Sequence, residues 1–161
     1  MIAVAVMTPA VWADQGAGAT PAAAPVTAQD YDALMKKVGP LYAAMAKNLD
    51  SGKVDLVPKD AQQLGELFGA AGKFWAEHKR EDAVKWTQAA QRHAGEIAAG
   101  VTAAQGYLRS DARVQSGVQE RLSRVRASVA SLGAVCQQCH TAYREGDAAS
   151  GFRIKANTLA R

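Results

Sequence analysis

The sequence predicts an all-α fold, an antiparallel four-helix bundle. Apolar residues recur at steps of three and four along four separate stretches, which is the spacing of one helix face. Short connections that contain glycine, proline, serine or aspartate separate these stretches. The chain has 161 residues, 48% of them apolar and 21% charged, which is enough for one domain with its own core. Four amphipathic helices with short connections form a bundle whose interior can hold a cofactor.

The first two predicted helices are bounded by recognisable start and stop signals. The first starts near Thr27 or Asp30, either of which can cap it, and ends in the turn 50–53. We expect a kink at Gly39-Pro40, because an interior proline removes a helical hydrogen bond. The second helix opens at Pro58. The predicted apolar faces are Leu34, Val38, Leu41, Met45 and Leu49 in the first, and Ala61, Leu64, Leu67, Phe68, Ala71, Phe74 and Trp75 in the second.

The third predicted helix runs from about Glu81 to Ala104, and Gly106 with Ser110-Asp111 marks the next turn and cap. Its apolar side contains His93, which we interpret as a hydrogen-bonded core histidine and not as a ligand. We interpret the aromatic side chains of the middle helices as core or as walls of a cofactor pocket. These aromatic residues are Phe74, Trp75 and Trp86.

The fourth predicted helix has the clearest pattern, a near-heptad stripe that is typical of the seam of a helical bundle. After Gly146 the tail, 146–161, has no evident periodicity, and we expect Phe152 and Ile154 to pack back onto the bundle. The stripe consists of Val114, Val118, Leu122, Val125, Val129, Leu132, Cys136, Cys139 and Tyr143.

The N-terminus predicts export. Residues 1–13 form a short apolar run that ends in Val11-Trp12-Ala13, with small residues where a signal peptidase cleaves. The alternative is an apolar N-terminus without structure. The run is too short to span a bilayer, which takes about 20 residues. Residues 14–28 are predicted to be a flexible linker, so the bundle domain is expected over 29–145.

The chemistry-bearing motif is Cys136-Gln137-Gln138-Cys139-His140, which has the spacing of c-type haem attachment. On a helix, positions i and i+3 share a face, so both thiols can reach the two vinyl groups at one edge of a porphyrin. His140 can then supply the proximal axial ligand to the iron. The motif predicts one covalent haem c near the C-terminal end of the last helix.

A Cys-x-x-Cys-His motif has two other uses, a redox-active thiol pair and part of a zinc site. A redox-active Cys-x-x-Cys pair usually follows a strand in a βαβ unit, and no such pattern is present. A structural zinc site needs four ligands. The chain has two cysteines, so His78 and His93 would have to complete a zinc site from distant positions.

At the haem motif the sequence resembles the class II cytochromes c, which include cytochrome c′ and the low-spin cytochromes c-556. The resemblance rests on Cys136-x-x-Cys139-His140-x-x-Tyr143-Arg144 at the end of the last helix, on the segment Tyr31–Lys36 and on the turn Ser51–Asp55. It spans roughly residues 28–145 and is loose between these segments. The chain departs from the family in its longer tail and in lacking the arginine that usually precedes the distal segment.

The resemblance places Met35 on the distal side of the iron. Its thioether can ligate iron or simply fill an apolar cavity, and the family contains both arrangements. Arg144 lies one turn after His140, where a cation would disfavour a more anionic imidazole and raise the potential of the iron. An ordinary charge at the end of a helix is the alternative role for Arg144.

The function expected from motif and resemblance is a periplasmic carrier of one electron, with a redox protein as its partner. The alternative is a five-coordinate haem protein that binds NO or CO. An enzyme such as a peroxidase would need a distal acid–base pair, which the first helix lacks, so we expect no enzymatic activity. The net charge of +4 can steer an acidic partner but is weak support for nucleic-acid binding. Class II relatives often pair through their first two helices, so a homodimer is an alternative to a monomer.

Overall fold

The structure is a computed structural model that describes residues 26–110, 115–147 and 149–159. The predicted signal peptide, most of the linker and the predicted cap at Asp111 lie outside the described residues. Four long helices dominate: α1 (Ala28–Asp50), α2 (Val57–Glu77), α3 (Glu81–Ser110) and α4 (Gln115–Tyr143). They pack against one another, α1 on α2, α2 on α3 and α3 on α4, so the prediction of an all-α bundle is confirmed. No helix in the described part of the chain is both long and apolar enough to cross a membrane.

Helix α1 begins where a capping box fixes it. Thr27 accepts a hydrogen bond from the backbone N–H of Asp30, and the Asp30 carboxylate accepts one from the backbone N–H of Thr27. The helix continues through Pro40 to Asp50, so the proline does not end it. The Tyr42 hydroxyl donates a hydrogen bond of 3.1 Å to the carbonyl oxygen of Val129, which ties α1 to α4.

Helix α3 is six residues longer than predicted, and the turn expected at Gly106 is wrong. Gly106 lies inside the helix, which continues to Ser110. A contact with α4 accompanies the extension: the Arg121 guanidinium lies 4.5 Å from the centre of the Tyr107 ring and donates to its hydroxyl. Tertiary contacts of this kind outweigh the low helix propensity of one glycine.

The interpretation of His93 as a core residue is also wrong. Its side chain is 25% exposed, and its Nδ1 lies 3.0 Å from Oε2 of Glu96 on the same helix. The core face of α3 includes Ala94, the residue directly after His93, and is made mostly of alanine. The buried residues at that face are Ala83, Thr87, Ala90, Ala94, Ile97, Ala98, Val101 and Ala104.

The core has two parts. One is a large aliphatic cluster that includes Met45, Leu64, Ile97 and Leu132, all with no exposed surface. The other is a smaller, mainly aromatic cluster of Tyr31, Ala71, Phe74, Trp75 and Ala83. Cys136 packs against the first cluster and Cys139 against the second, so the motif lies where the two clusters meet.

The tail after α4 forms an ordered element that periodicity did not predict. Strands β1 (Arg144–Asp147) and β2 (Gly151–Ile154) pair antiparallel, with Arg144 opposite Ile154 and Gly146 opposite Phe152. A short helix, α5 (Ala156–Leu159), follows. The predicted domain boundary at 145/146 therefore falls inside β1.

Candidate functional site

A cavity of about 970 Å³ opens between the helices at the end of the bundle where α4 terminates. Protein pockets that hold a small molecule or cofactor are about 300–1,000 Å³ and mostly apolar. Side chains from all four long helices and from the tail line the cavity. The lining residues from the long helices include Tyr31, Met35, Trp75, Trp86, Cys136, Cys139 and His140.

The last two turns of α4 bring the whole motif to this cavity. Cys136 and Cys139 are half-buried, form no disulfide and both line the wall, as the i, i+3 spacing predicts. Burial raises the pKa of the Cys136 thiol. Burial and the nearby Cys136 raise the pKa of the Cys139 thiol to about 12. Both sulfurs are therefore protonated thiols at neutral pH.

His140 also lines the cavity, and its environment favours a neutral imidazole. Burial lowers the pKa of His140, and the positive charge of Arg144 lowers it further. A neutral imidazole has a nitrogen lone pair free to bind a metal. His140 is therefore suited to be an axial ligand.

Met35 reaches the cavity from α1 and packs against both core clusters. The structure thus brings Met35 to the same cavity as His140, as the resemblance implies. Its surroundings are apolar, which suits both a thioether ligand and a packing role.

Tyr31, one turn before Met35, is a cavity residue that sequence reasoning did not single out. It is 7% exposed, and its ring stacks on Phe74 with ring centres 4.5 Å apart. Trp75 Nε1 donates a hydrogen bond of 3.2 Å to the Tyr31 hydroxyl. Burial and the neighbouring Cys139 raise the pKa of Tyr31, so the phenol stays neutral. Tyr31 precedes Met35 by four positions and therefore lies on the same helix face, a spacing that could have identified Tyr31 as a cavity residue.

Aromatic side chains form one side of the cavity, as predicted. Trp75 and Trp86 line it, whereas Phe74 lies behind Tyr31. Tyr143 packs between the two tryptophans, with ring centres 4.8 Å from Trp75 and 6.0 Å from Trp86. Its hydroxyl donates to the Asp82 carboxylate at 2.6 and 2.7 Å. Burial and this carboxylate raise the pKa of Tyr143 to about 12.

Arg144 lines the cavity, but not in the predicted conformation. Helix α4 ends at Tyr143, so Arg144 opens strand β1 and does not extend the helix face of His140. Its guanidinium lies 4.1 Å above the ring of Phe152. Its positive charge nevertheless lowers the pKa of the His140 imidazole.

The tail supplies a wall of the cavity that the sequence analysis left without a function. Ile154 packs against the aromatic cluster, as expected, whereas Phe152 lines the cavity but is 47% exposed and belongs to neither core cluster. The cavity-lining residues of the tail are Arg144, Asp147, Gly151, Phe152, Arg153, Ile154 and Leu159.

Neither of the other two histidines contributes to the cavity lining. His78 Nδ1 lies 2.8 Å from the carbonyl oxygen of Phe74, and His93 contacts Glu96. In the described residues, no three side chains of His, Cys, Asp and Glu converge as a chelating group for a bare metal ion. A porphyrin makes no such demand, because its own nitrogens supply four ligands and the protein adds axial ones. The cavity volume, apolar walls, paired thiols and neutral imidazole fit a haem.

Comparison with known proteins gives no relative: no family model, no curated protein and no solved structure matches this chain.

Proposed function

We propose that the protein is an exported c-type cytochrome that carries one electron through a single covalently bound haem. The observation that carries the proposal is the convergence of Cys136, Cys139 and His140 on one apolar cavity of haem-compatible size. The signal-like N-terminus supports a periplasmic location, since c-type attachment is completed outside the cytoplasm.

Each motif residue has a distinct part in holding the haem. Cys136 and Cys139 would form the thioether bonds, and neutral His140 would coordinate the iron. When bound, the haem supplies iron that cycles between the ferric and ferrous states. Trp75, Trp86 and the other apolar walls exclude water, and solvent exposure is one of the factors that set a haem potential.

Thiol chemistry is the less favoured use of the motif. A redox-active Cys-x-x-Cys pair works through a thiolate of lowered pKa in a polar, partly exposed position. Both thiols here are set in an apolar wall, and burial raises their pKa values. A covalent attachment site is the better match for two neutral thiols facing an apolar cavity.

NO or CO binding to five-coordinate iron is the second candidate function. The packing of Met35 against both core clusters favours it, because a thioether held by apolar neighbours need not bind metal. We place the carrier first because Met35 nevertheless lines the cavity that His140 enters.

A potentiometric titration of the haem-loaded protein tests the proposed function. A one-electron haem couple is expected to give a single transition of about 59 mV per tenfold change in the ratio of oxidised to reduced protein. The measurement is absorbance against applied potential. If the protein instead took up no covalent haem and worked through a dithiol–disulfide couple of Cys136 and Cys139, the slope would be about 30 mV per tenfold change. A two-electron slope, or no redox transition, would contradict the proposal.

A further inference from the structure

We propose that the C-terminal strap, defined as β1, β2 and α5, closes the haem cavity and determines how readily solvent and small ligands reach the iron. The inference rests on the proposed function. It assigns a role in the haem site to a segment that has no place in the attachment motif.

The first support is the position of the strap. Phe152 and Ile154 line the cavity that Met35 and His140 also line, and Leu159 of α5 lines it as well. Ile154 and Leu159 pack on the cluster that contains Tyr31 and Trp75. The strap therefore forms an outer wall over the end of the cavity where the motif lies.

The second support is that the strap is fastened to the bundle at two separate places. The Lys155 ammonium donates hydrogen bonds of 2.9 Å to the carbonyl oxygens of Thr141 and Ala142, which are free acceptors at the end of α4. At the turn between α2 and α3, the Arg80 guanidinium donates to the carbonyl oxygen of Thr158, whose side chain is buried. These contacts hold α5, and the residue that joins it to β2, against the bundle.

The third support is that the hairpin depends on a glycine. Gly146 has φ +90°, a conformation that L-residues with a side chain rarely adopt. A Cβ at this position would overlap the carbonyl oxygen of Gly151, which is backbone and cannot move aside alone. Asp147 completes the turn, since its carboxylate accepts from the backbone N–H groups of Ala149 and Ser150. The hairpin is thus specified by local sequence, independently of the bundle.

The cavity needs such a wall in either proposed function. Without the strap, the cavity would open to water through the positions of Phe152 and Ile154. Water near the iron stabilises the more highly charged ferric state and lowers the potential. Strap closure would favour a sheltered electron carrier, and strap opening would favour ligand entry.

Gly146→Ala in the haem-loaded full chain tests the strap, with Gly95→Ala in α3 as the matched control. A Cβ at Gly95 meets no atom within 4 Å, and Gly95 does not line the cavity. We expect Gly146→Ala to speed hydrogen exchange of the β1 and β2 amides by about tenfold or more. We also expect a lower midpoint potential and faster CO binding to the ferrous protein, with no such changes in Gly95→Ala.

Lys155→Met is a second variant that loosens the strap, because it removes the hydrogen bonds that Lys155 donates to the end of α4. We expect it also to speed hydrogen exchange of the strap amides, to lower the midpoint potential and to speed CO binding. Faster exchange of the strap amides with unchanged potential and unchanged CO binding would overturn the inference, as would failure of both variants to speed exchange. Absence of covalent haem from the wild-type chain would contradict the proposed function and, with it, the role given to the strap.

Discussion

Leu64→Ala is expected to lower the free energy of unfolding by about 2–5 kcal/mol, the range for truncation of a fully buried leucine. Leu64 lies in the middle of α2 with no exposed surface and belongs to the aliphatic core cluster. The loss combines the transfer free energy of the removed methyl groups with the cost of the cavity they leave. Chemical denaturation followed by far-ultraviolet circular dichroism measures the change.

Leu56→Ala is the matched control for this prediction, because it removes the same atoms at the start of the same helix. Leu56 is 52% exposed and caps α2 without a side-chain hydrogen bond. Its truncation is expected to change the free energy of unfolding by about 0.5 kcal/mol or less. Equal losses in the two variants would show that α2 does not bury Leu64 in the bundle core.

Met35→Ala is expected to convert a low-spin, six-coordinate haem into a high-spin haem with an open coordination site. If the thioether ligates iron, its removal leaves His140 as the single protein ligand and the axial field weakens. CO should then bind faster, because no protein ligand has to leave first. Optical and electron paramagnetic resonance spectra of the wild type and the variant measure the change.

Met35→Leu separates ligation from packing, since leucine keeps an apolar side chain of similar volume but has no sulfur. The electron-carrier proposal predicts that both variants become high-spin. High-spin spectra in the wild type and in both variants would exclude ligation by Met35 and favour the gas-binding alternative. Low-spin spectra in all three proteins would require another ligand, and His93 is a poor one because it contacts Glu96 and does not line the cavity.

The four helices could be predicted because their signals are local. The Thr27 cap, the proline near the start of α2 and the stripe of α4 each depend on neighbours within a few positions. The meeting of Cys136, Cys139 and His140 at one wall follows from helical geometry alone. The packing of Trp75 and the cavity position of Trp86 follow from the amphipathic pattern.

The errors in α3 have a different origin. Its core face is built largely from Ala90, Ala94 and Ala98, and alanine carries little hydrophobic signal. The predicted apolar side of α3 included the buried residues Ala90, Ile97 and Val101, but it also included His93, which is partly exposed. Past Gly106, α3 contacts α4 through Tyr107 and Arg121, a pairing that local sequence signals do not reveal.

The hairpin of the strap was not predicted because it has no recognisable periodicity, and the surroundings of Tyr31 were not predicted because tertiary contacts create them. Strands β1 and β2 are four residues each, too short for an alternation to be recognised. Tyr31 becomes a cavity residue through its stack on Phe74 and its hydrogen bond from Trp75, both on α2.

Covalent attachment of haem is the central claim, and extraction of the denatured protein with acidified organic solvent tests it most directly. The protein is produced in a bacterial host that exports it and attaches haem c, and its intact mass is then recorded. We predict that the mass of one haem stays with the wild-type chain and that Cys136→Ser with Cys139→Ser together abolish this added mass. Complete release of haem from the wild type into the solvent, or a wild-type mass equal to that of the polypeptide alone, would contradict the account.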